Sequence, residues 1–149
     1  MVEDVTITGG CQCGQVRYTL GAKPTVVYCC HCHECQKQSA SAFGLSVPVA
    51  LADLSVAGRI ASWERPTDLG TRTRCVFCPD CGTRVYHQDS TSPDRATVKG
   101  GSLDDRSWLV PTAHIWVSRK QPWVVIDPAV PQHATQPEDL DAWRNGETR

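Results

Sequence analysis

The densest group of reactive side chains lies in the segment VYCCHCHECQK, residues 27–37. Within it, Cys30, Cys32 and Cys35 form a C-x-C-x-x-C pattern, so three thiols can converge on one metal ion from a single loop. Three protein ligands plus one vacant position are typical of a catalytic zinc ion. Because three thiolates weaken the ion as a Lewis acid, such a site favours binding a soft substrate thiolate over activating water.

Cys29 leaves a second interpretation open, in which it supplies a fourth ligand and closes the site. If residues 25–29 form a strand, successive side chains alternate between its faces, so Cys29 and Cys30 point in opposite directions. This pattern favours Cys29 as a core residue, since a buried free cysteine behaves as a small hydrophobe. The same role, a buried strand thiol, is favoured for Cys75.

Three polar residues beside these thiols are candidates for chemistry. His31 lies between two of the candidate ligands and could donate a hydrogen bond to one of them or face solvent. His33 or Glu34 could serve as an acid–base group or as an alternate ligand. An ordinary surface role stays open for each. His114 is expected to be a core or edge-strand histidine.

Two further cysteine pairs are each followed directly by a glycine, and their members are Cys11, Cys13, Cys78 and Cys81. Glycine permits the tight turn in which backbone N–H groups point at thiolates, and Gly14 and Gly82 stand at those positions. Four thiolates fill the tetrahedral positions of zinc, which predicts a closed, structural site. A thioredoxin-like redox pair at Cys78 and Cys81 is disfavoured because no helical pattern follows it.

Bulk composition narrows the class of protein. The chain of 149 residues has the length of one domain, and its net charge of −1 comes from interspersed acids and bases, which disfavours nucleic acid as a partner. No apolar run is long enough to span a bilayer, and the first ten residues lack the apolar stretch of a secretory signal. We therefore expect a cytoplasmic protein, in which clustered cysteines hold metal or do chemistry rather than form disulfides; eight of the nine cysteines lie in such clusters.

Short segments rich in β-branched and aromatic residues predict an all-β or β-rich domain over residues 1–127. The predicted strands are 5–8, 15–20, 25–29, 43–49, 71–77, 83–87, 96–100 and 113–117. A helical turn is expected in QKQSAS, directly after Cys35.

The remaining residues, 128–149, form a Pro-rich polar tail. Its segment PEDLDAWRNG could form a helix of two turns, with acids in the first turn and Gly146 past its end. Leu140 and Trp143 would then dock that helix on the sheet. A loosely ordered end is the alternative interpretation.

Four motifs carry a resemblance to a known family, and they read GGCQCGQVRY (9–18), CCHCHECQKQSASAFG (29–44), RCVFCPDCGTRVYH (74–87) and HIWVSRKQPWVVI (114–126). In this order, they resemble the family of the glutathione-dependent formaldehyde-activating enzyme, which also contains centromere protein V. The resemblance implies a β-tent fold of short antiparallel sheets with two zinc ions. It assigns one, closed, to Cys11, Cys13, Cys78 and Cys81, and the other, where a substrate thiol would bind, to Cys30, Cys32 and Cys35.

The resemblance also implies a reaction, the formation or cleavage of a carbon–sulfur bond between a thiol such as glutathione and an aldehyde. That reaction makes the expected protein a carbon–sulfur lyase with small-molecule partners. The chain departs from the family pattern at Gln36, where a basic residue is usual, and at Ala40, where glycine is common. Lys37 matches and, with Arg74 and Arg84, is a candidate for binding substrate carboxylates.

Two other function classes stay open. A non-catalytic β scaffold stabilised by zinc could bind a protein through Trp116 and Trp123, although their spacing favours core packing. A thiol redox sensor would instead form a disulfide among Cys29 to Cys35 under mild oxidation.

Overall fold

The computed structural model describes residues 6–147, and these residues form ten strands and two α-helices. The strands are β1 Ile7–Gly10, β2 Arg17–Leu20, β3 Tyr28–Cys30, β4 Gly44–Ala50, β5 Leu54–Ala57, β6 Ala61–Pro66, β7 Arg72–Phe77, β8 Arg84–Asp89, β9 Arg95–Lys99 and β10 Ala113–Ile115. The helices are α1 His33–Ser39 and α2 Leu140–Arg144. The predicted β-rich fold class is confirmed. Val5, the first residue of the first predicted strand, lies outside the described residues.

The described chain divides into two compact units, each built from two stretches of sequence. The first unit contains residues 6–24 and 48–108, and the second contains residues 25–47 and 109–147. The domain of residues 1–127 and the tail of residues 128–149 stay a prediction. Neither of the described helices, of seven and five residues, has the length and apolar character to cross a membrane.

The first unit contains a three-stranded antiparallel sheet in the order β1-β2-β5. Along β2 the side chains alternate, so that Tyr18 and Leu20 are buried while Arg17 and Thr19 face solvent. This alternation is the period of two that places one face of a strand on the core. Gly9 lies opposite Tyr18, and a side chain at Gly9 would collide with the phenol ring.

The first unit also contains an antiparallel meander in the order β6-β7-β8-β9. Sequence patterning missed β5 and β6. In β6 no residue is fully buried, and the strand ends at Pro66, as expected of a strand that pairs on one side only. Without a buried face, β6 lacks the alternating apolar residues from which a strand is recognised.

In the second unit, β3 lies between β10 and β4. The pair of β3 with β4 is antiparallel, whereas β10 runs parallel to β3, with Ala113 opposite Tyr28 and Ile115 opposite Cys30. The strand predicted at residues 113–117 ends early because Trp116 adopts a left-handed backbone conformation, with φ of 56°. This short strand therefore follows the edge of β3 only as far as Cys30.

Helix α1 follows β3 directly, and both of its ends are capped. Cys32 is the N-cap residue, and its Sγ accepts a hydrogen bond of 3.3 Å from the Cys35 backbone N–H. Ala40 terminates the helix in a left-handed conformation with φ of 51°. Glycine adopts that conformation without the steric penalty of a Cβ, which explains in physical terms why glycine suits this position.

Of the two interpretations of the C-terminal segment, the structure has the docked helix, α2, whose five residues are fewer than the two turns expected. The carboxylate of Asp139 caps its N-terminus by accepting a hydrogen bond of 3.0 Å from the Ala142 backbone N–H. Trp143 is buried edge-on against Tyr28 of β3, with ring centroids 4.9 Å apart. Leu140 packs against the same apolar cluster.

Candidate metal centres

The sulfurs of Cys30, Cys32 and Cys35 all lie within 4.8 Å of one another, and we call this group the three-cysteine site. Cys30 ends β3, Cys32 caps α1, and Cys35 lies in the first turns of that helix. Cys30 is buried, while the other two cysteines are half-buried. A strand that runs directly into a helix therefore brings the three thiols together from one side.

The three thiols change one another's pKa. Hydrogen bonding with Cys30 and Cys35 lowers the pKa of the Cys32 thiol, whereas hydrogen bonding with Cys32 and Cys35 raises the pKa of the Cys30 thiol. A divalent ion would replace the thiol protons, since metal binding requires the thiolate form.

Cys29 does not join this group. It points away from Cys30, is 1% exposed, and burial raises the pKa of its thiol to about 12. Among residues 6–147, no further cysteine, histidine or carboxylate joins the three-cysteine site at the same mutual distance. The group therefore offers three protein ligands.

Gly44 supports the site in a way that sequence analysis missed. It lies opposite Cys30 in the pairing of β3 with β4. A Cβ at this position would lie 3.2 Å from Cys35 Cβ, tighter than an ordinary contact, and 2.9 Å from Gln38 Nε2, so the Gln38 amide would have to rotate away. The signal that could have identified it is a glycine inside the β-branched strand that follows the cysteine motif.

Gln36 fixes the position of α1 through its side-chain amide. Its Nε2 donates to the backbone carbonyls of His31 and Arg119, at 2.8 and 2.9 Å. Its Oε1 accepts a hydrogen bond of 3.0 Å from Gln121, and Gln121 in turn accepts one of 2.6 Å from the Trp123 indole. The residue that departs from the family pattern therefore links α1 to the loop after β10.

His31 is buried and does not face solvent. Its Nε2 lies 2.9 Å from Nδ1 of His114, so one ring donates to the other. Burial is the main cause that lowers the pKa of His31 to about 4, and burial also lowers the pKa of His114. Both rings are therefore neutral at pH 7, and His114 is the edge-strand histidine that the sequence predicted. His33 and Glu34 are exposed in the first turn of α1.

The sulfurs of Cys11, Cys13, Cys78 and Cys81 also lie within 4.8 Å of one another, and they form the four-cysteine site of the first unit. Four sulfurs bound tetrahedrally to zinc at about 2.3 Å would lie about 3.8 Å apart. The measured separations fit, because Cys13 Sγ lies 3.5 Å from Cys11 Sγ and 3.8 Å from Cys78 Sγ.

Both glycines that follow these pairs adopt a backbone conformation with positive φ, as a tight turn requires, with φ of 85° at Gly14 and 79° at Gly82. The turn at Gly14 lets the Val16 N–H donate to Cys11 Sγ at 3.3 Å. Sequence reasoning missed two side-chain partners of the sulfurs. Gln15 Nε2 donates to Cys78 Sγ at 3.1 Å, and the Thr83 hydroxyl lies 3.2 Å from Cys81 Sγ, where it lowers the pKa of that thiol to about 5.

Of the predicted carboxylate-binding residues, Lys37 lies in the unit of the three-cysteine site, and Arg74 and Arg84 lie in the other unit. Arg74 donates to Gln88 Oε1 at 3.2 Å, and the Arg84 guanidinium lies 6.0 Å above the Trp63 ring. Cys75, in the same unit, is buried in β7 as predicted.

Lys37 lines an open cleft of about 450 Å³ along α1, together with Gln36, Ala40, Ser41, Ala42, Gln121 and Trp123. Residues of an α-helix are separated by roughly 100° about its axis, so Lys37 and Ala40 lie on the opposite side of α1 from Cys35. The cleft is therefore distinct from the face that carries the sulfurs.

The predicted core packing is confirmed for Trp116, which is half-buried against the apolar cluster of the second unit. It is wrong for Trp123, whose side chain is 71% exposed. Trp123 lies in a loop, where the spacing of apolar residues does not define a buried face.

A family model, described as the glutathione-dependent formaldehyde-activating enzyme, matches residues 6–119. The chain belongs to this family. The resemblance carried by the cysteine motifs is thus confirmed. Both cysteine sites lie inside the matched region, whereas α2 lies beyond it.

Other comparisons bear on the fold alone. The fold is similar to that in the crystal structure of a Rhodobacter sphaeroides protein from a structural genomics programme, with a TM-score of 0.54 and 19% sequence identity. The similarity covers 84% of this chain and 98% of the other. No curated protein sequence matches the chain.

Proposed function

We propose that this member of the family is a zinc-dependent carbon–sulfur lyase that acts on adducts between a thiol and a small aldehyde. The observation that carries the proposal is the contrast between two sulfur groups in one chain. One group offers four ligands and the other offers three. Closed coordination is typical of structural zinc, and three protein ligands are typical of catalytic zinc.

The four-cysteine site has the structural role in this proposal. Its members come from two turns more than sixty residues apart, so one ion would join the start of the first unit to the turn between β7 and β8. Binding of a structural zinc ion can contribute on the order of 10 kcal/mol to folding. That contribution exceeds the entropy lost by closing the intervening loop.

The three-cysteine site has the catalytic role. A zinc ion bound there would supply a soft Lewis acid that holds a substrate thiol in its thiolate form. Cys30 secures the buried side of the site, and half-buried Cys32 and Cys35 border the side that a substrate can reach. Because all three ligands are sulfurs, the site suits a thiol better than it suits hydrolysis.

The reaction needs no oxidant. The substrate sulfur donates an electron pair to the aldehyde carbon, the C=O π pair moves to oxygen, and that oxygen takes a proton from a general acid. In the reverse direction the hydroxyl loses its proton, the C=O bond forms again, and the carbon–sulfur pair returns to sulfur. His33 and Glu34, exposed in the first turn of α1, are the proposed acid–base groups.

Substrate recognition is assigned to cations. Lys37, Arg74 and Arg84 are proposed to bind carboxylates of a glutathione-like thiol. Lys37 has the strongest support of the three, since it is exposed on the helix that carries Cys35. Because it lies on the other side of that helix, it would bind a carboxylate remote from the substrate thiol. We further propose that the protein acts in the cytoplasm.

A metal count and a thiol titration test the function. Native mass spectrometry should find two zinc ions in the wild-type protein and one in Cys32→Ser. Calorimetric titration with glutathione and with smaller thiols should show binding to the two-ion form and none to the variant. If no thiol binds while both ions are present, the lyase proposal is wrong.

A non-catalytic scaffold that binds a protein is the second candidate, and exposed tryptophans favour it. Trp123 is 71% exposed and Trp63 is 52% exposed, and aromatic residues are enriched at protein interfaces. A scaffold predicts that substitution of Trp123 abolishes partner binding while no thiol exchanges at the metal. Turnover of S-hydroxymethylglutathione, followed by NMR, would exclude this candidate as the main function.

A further inference from the structure

One face of β3 joins the three-cysteine site to an aromatic cluster. Tyr28 and Cys30 are two positions apart on the strand, so their side chains share a face. Both are buried in an apolar cluster that includes Trp143, and Cys32 and Cys35 pack against that cluster. The sulfurs are therefore supported by the packing of Tyr28 and of α2.

Helix α2 places a cation in this environment. The Arg144 side chain is only 8% exposed, and its Nε atom is buried with no hydrogen-bond partner. Its guanidinium forms an ion pair with the Asp141 carboxylate at 3.8 Å, and the Asp141 side chain is 56% exposed to solvent. An exposed carboxylate at that distance offsets little of the free energy needed to bury a guanidinium.

The phenol of Tyr28 is within electrostatic reach of both Arg144 and the sulfurs. Burial raises the pKa of Tyr28, and the Arg144 guanidinium opposes that rise by its charge and by hydrogen bonding. The thiols of Cys30 and Cys35 are close enough to act on the same phenol by their charge. In a hydrogen bond between these two side chains arginine can only donate, so the Tyr28 oxygen would accept.

A buried cation needs a compensating negative charge, and the three-cysteine site would provide one. Three thiolates around a divalent ion carry one net negative charge. That charge would lie on the same side of β3 as Tyr28, where α2 packs. A cation behind the tyrosine would stabilise the anionic site and would favour the arrival of one more thiolate.

We propose that Arg144 is a positioning residue of the three-cysteine site, which holds Tyr28 in place and balances the charge of the three thiolates. The proposal rests on the metal-binding role given above to Cys30, Cys32 and Cys35. It extends the site beyond the region matched by the family model, because α2 follows residue 119.

The test compares Arg144→Met, Arg144→Lys and Tyr28→Phe with the wild-type protein. Arg119→Met is the matched control, since it removes a cation of the same unit that lies over Trp116 at the surface. Zinc affinities of both sites are measured by chelator competition, with bound ions counted by native mass spectrometry. Cys32→Ser identifies the binding step that belongs to the three-cysteine site.

We expect Arg144→Met to weaken zinc binding at the three-cysteine site by about 10- to 100-fold, as substitutions behind metal ligands typically do. The four-cysteine site, in the other unit, serves as an internal standard and should keep its affinity. Arg144→Lys, which retains the charge, should recover most of the loss, and Tyr28→Phe should show a smaller loss. Arg119→Met should change neither affinity.

The test separates this role from a structural one. A purely structural role predicts that Arg144→Met lowers the free energy of unfolding, because removing one member of a buried ion pair is costly, without a selective loss of zinc affinity at the three-cysteine site. Unchanged affinity in Arg144→Met, an equal fall at both sites, or an equal loss in Arg144→Lys would overturn the proposal. If the wild-type protein bound only one zinc ion, both the proposed function and the proposed role of Arg144 would be wrong.

Discussion

Gly44 lies directly opposite Cys30 across the antiparallel pair of β3 and β4. The absence of a side chain at this position leaves room for α1, which brings Cys35 to within reach of Cys30 and Cys32. The ligand geometry of the three-cysteine site thus depends on a residue that binds nothing.

Replacement of Gly44 by alanine should therefore displace α1. Its Cβ would lie 2.9 Å from Gln38 Nε2, which can rotate away, and 3.2 Å from Cys35 Cβ, which would have to shift by a few tenths of an ångström. We expect a loss of about 1–3 kcal/mol in the free energy of unfolding, as for other overpacked sites. Native mass spectrometry should find that the second zinc ion is lost or weakened. Gly101→Ala is the control, because no atom lies within 4 Å of a Cβ there; a matching loss in that variant would contradict the explanation.

Substitution of Ala40 with glycine should stabilise the protein. A non-glycine residue in a left-handed conformation is strained by about 1–2 kcal/mol, and the greater unfolded-state entropy of glycine offsets part of that gain. We expect Ala40→Gly to raise the free energy of unfolding by about 0.5–1 kcal/mol, measured by urea denaturation. Gly70→Ala, at φ of 80° and with open space around it, should change stability in the opposite direction. If Ala40→Gly is destabilising, the strain at this helix end has been overestimated.

Single cysteine substitutions should separate ligands from core residues. Cys29→Ala should keep both zinc ions and lose roughly 1 kcal/mol of stability, because a small buried side chain is shortened. Cys32→Ser should lose one ion and remain folded. Cys81→Ser should lose the structural ion and should melt at a much lower temperature, since a closed zinc site contributes directly to folding. An ion lost from Cys29→Ala would show that this thiol is a ligand.

A surface ion pair in the first unit should make stability depend on pH. Hydrogen bonds from Arg17, and secondly from Thr8, lower the pKa of Asp104 to about 2. A folded-state pKa below the unfolded value of about 3.9 stabilises the protein above pH 4, and this contribution is lost as the pH falls toward 2.

Asp104→Asn should accordingly lower the urea midpoint at pH 7 and have little effect at pH 2. The effect should be small, because both partners are about half exposed and solvent screens their attraction. The exposed Asp68 provides the control through Asp68→Asn. An effect of Asp104→Asn that is equal at both pH values would mean that the carboxylate charge is not its cause.

The cysteine pairs and the three-cysteine motif could be recognised from sequence because ligand spacing within a motif is a local property. C-x-C-x-x-C can bring three thiols together within one turn of chain, and glycine after a cysteine pair marks a tight turn wherever it occurs. The strands with one buried face were found for the same reason, since alternation over a few residues reports burial. The exposed strands β5 and β6 left no such signal.

Contacts between distant parts of the chain could not be inferred in this way. The pairing of His31 with His114, the support of Cys35 by Gly44 and the burial of Arg144 beside Tyr28 join residues that no short pattern relates. Local spacing determined which cysteines form a pair or a triple, because a short loop restricts their positions whatever the rest of the chain does. Tertiary structure alone brought the two distant pairs together and decided which neutral, charged and aromatic groups surround each cysteine site, because their positions depend on how the whole unit buries its apolar surface.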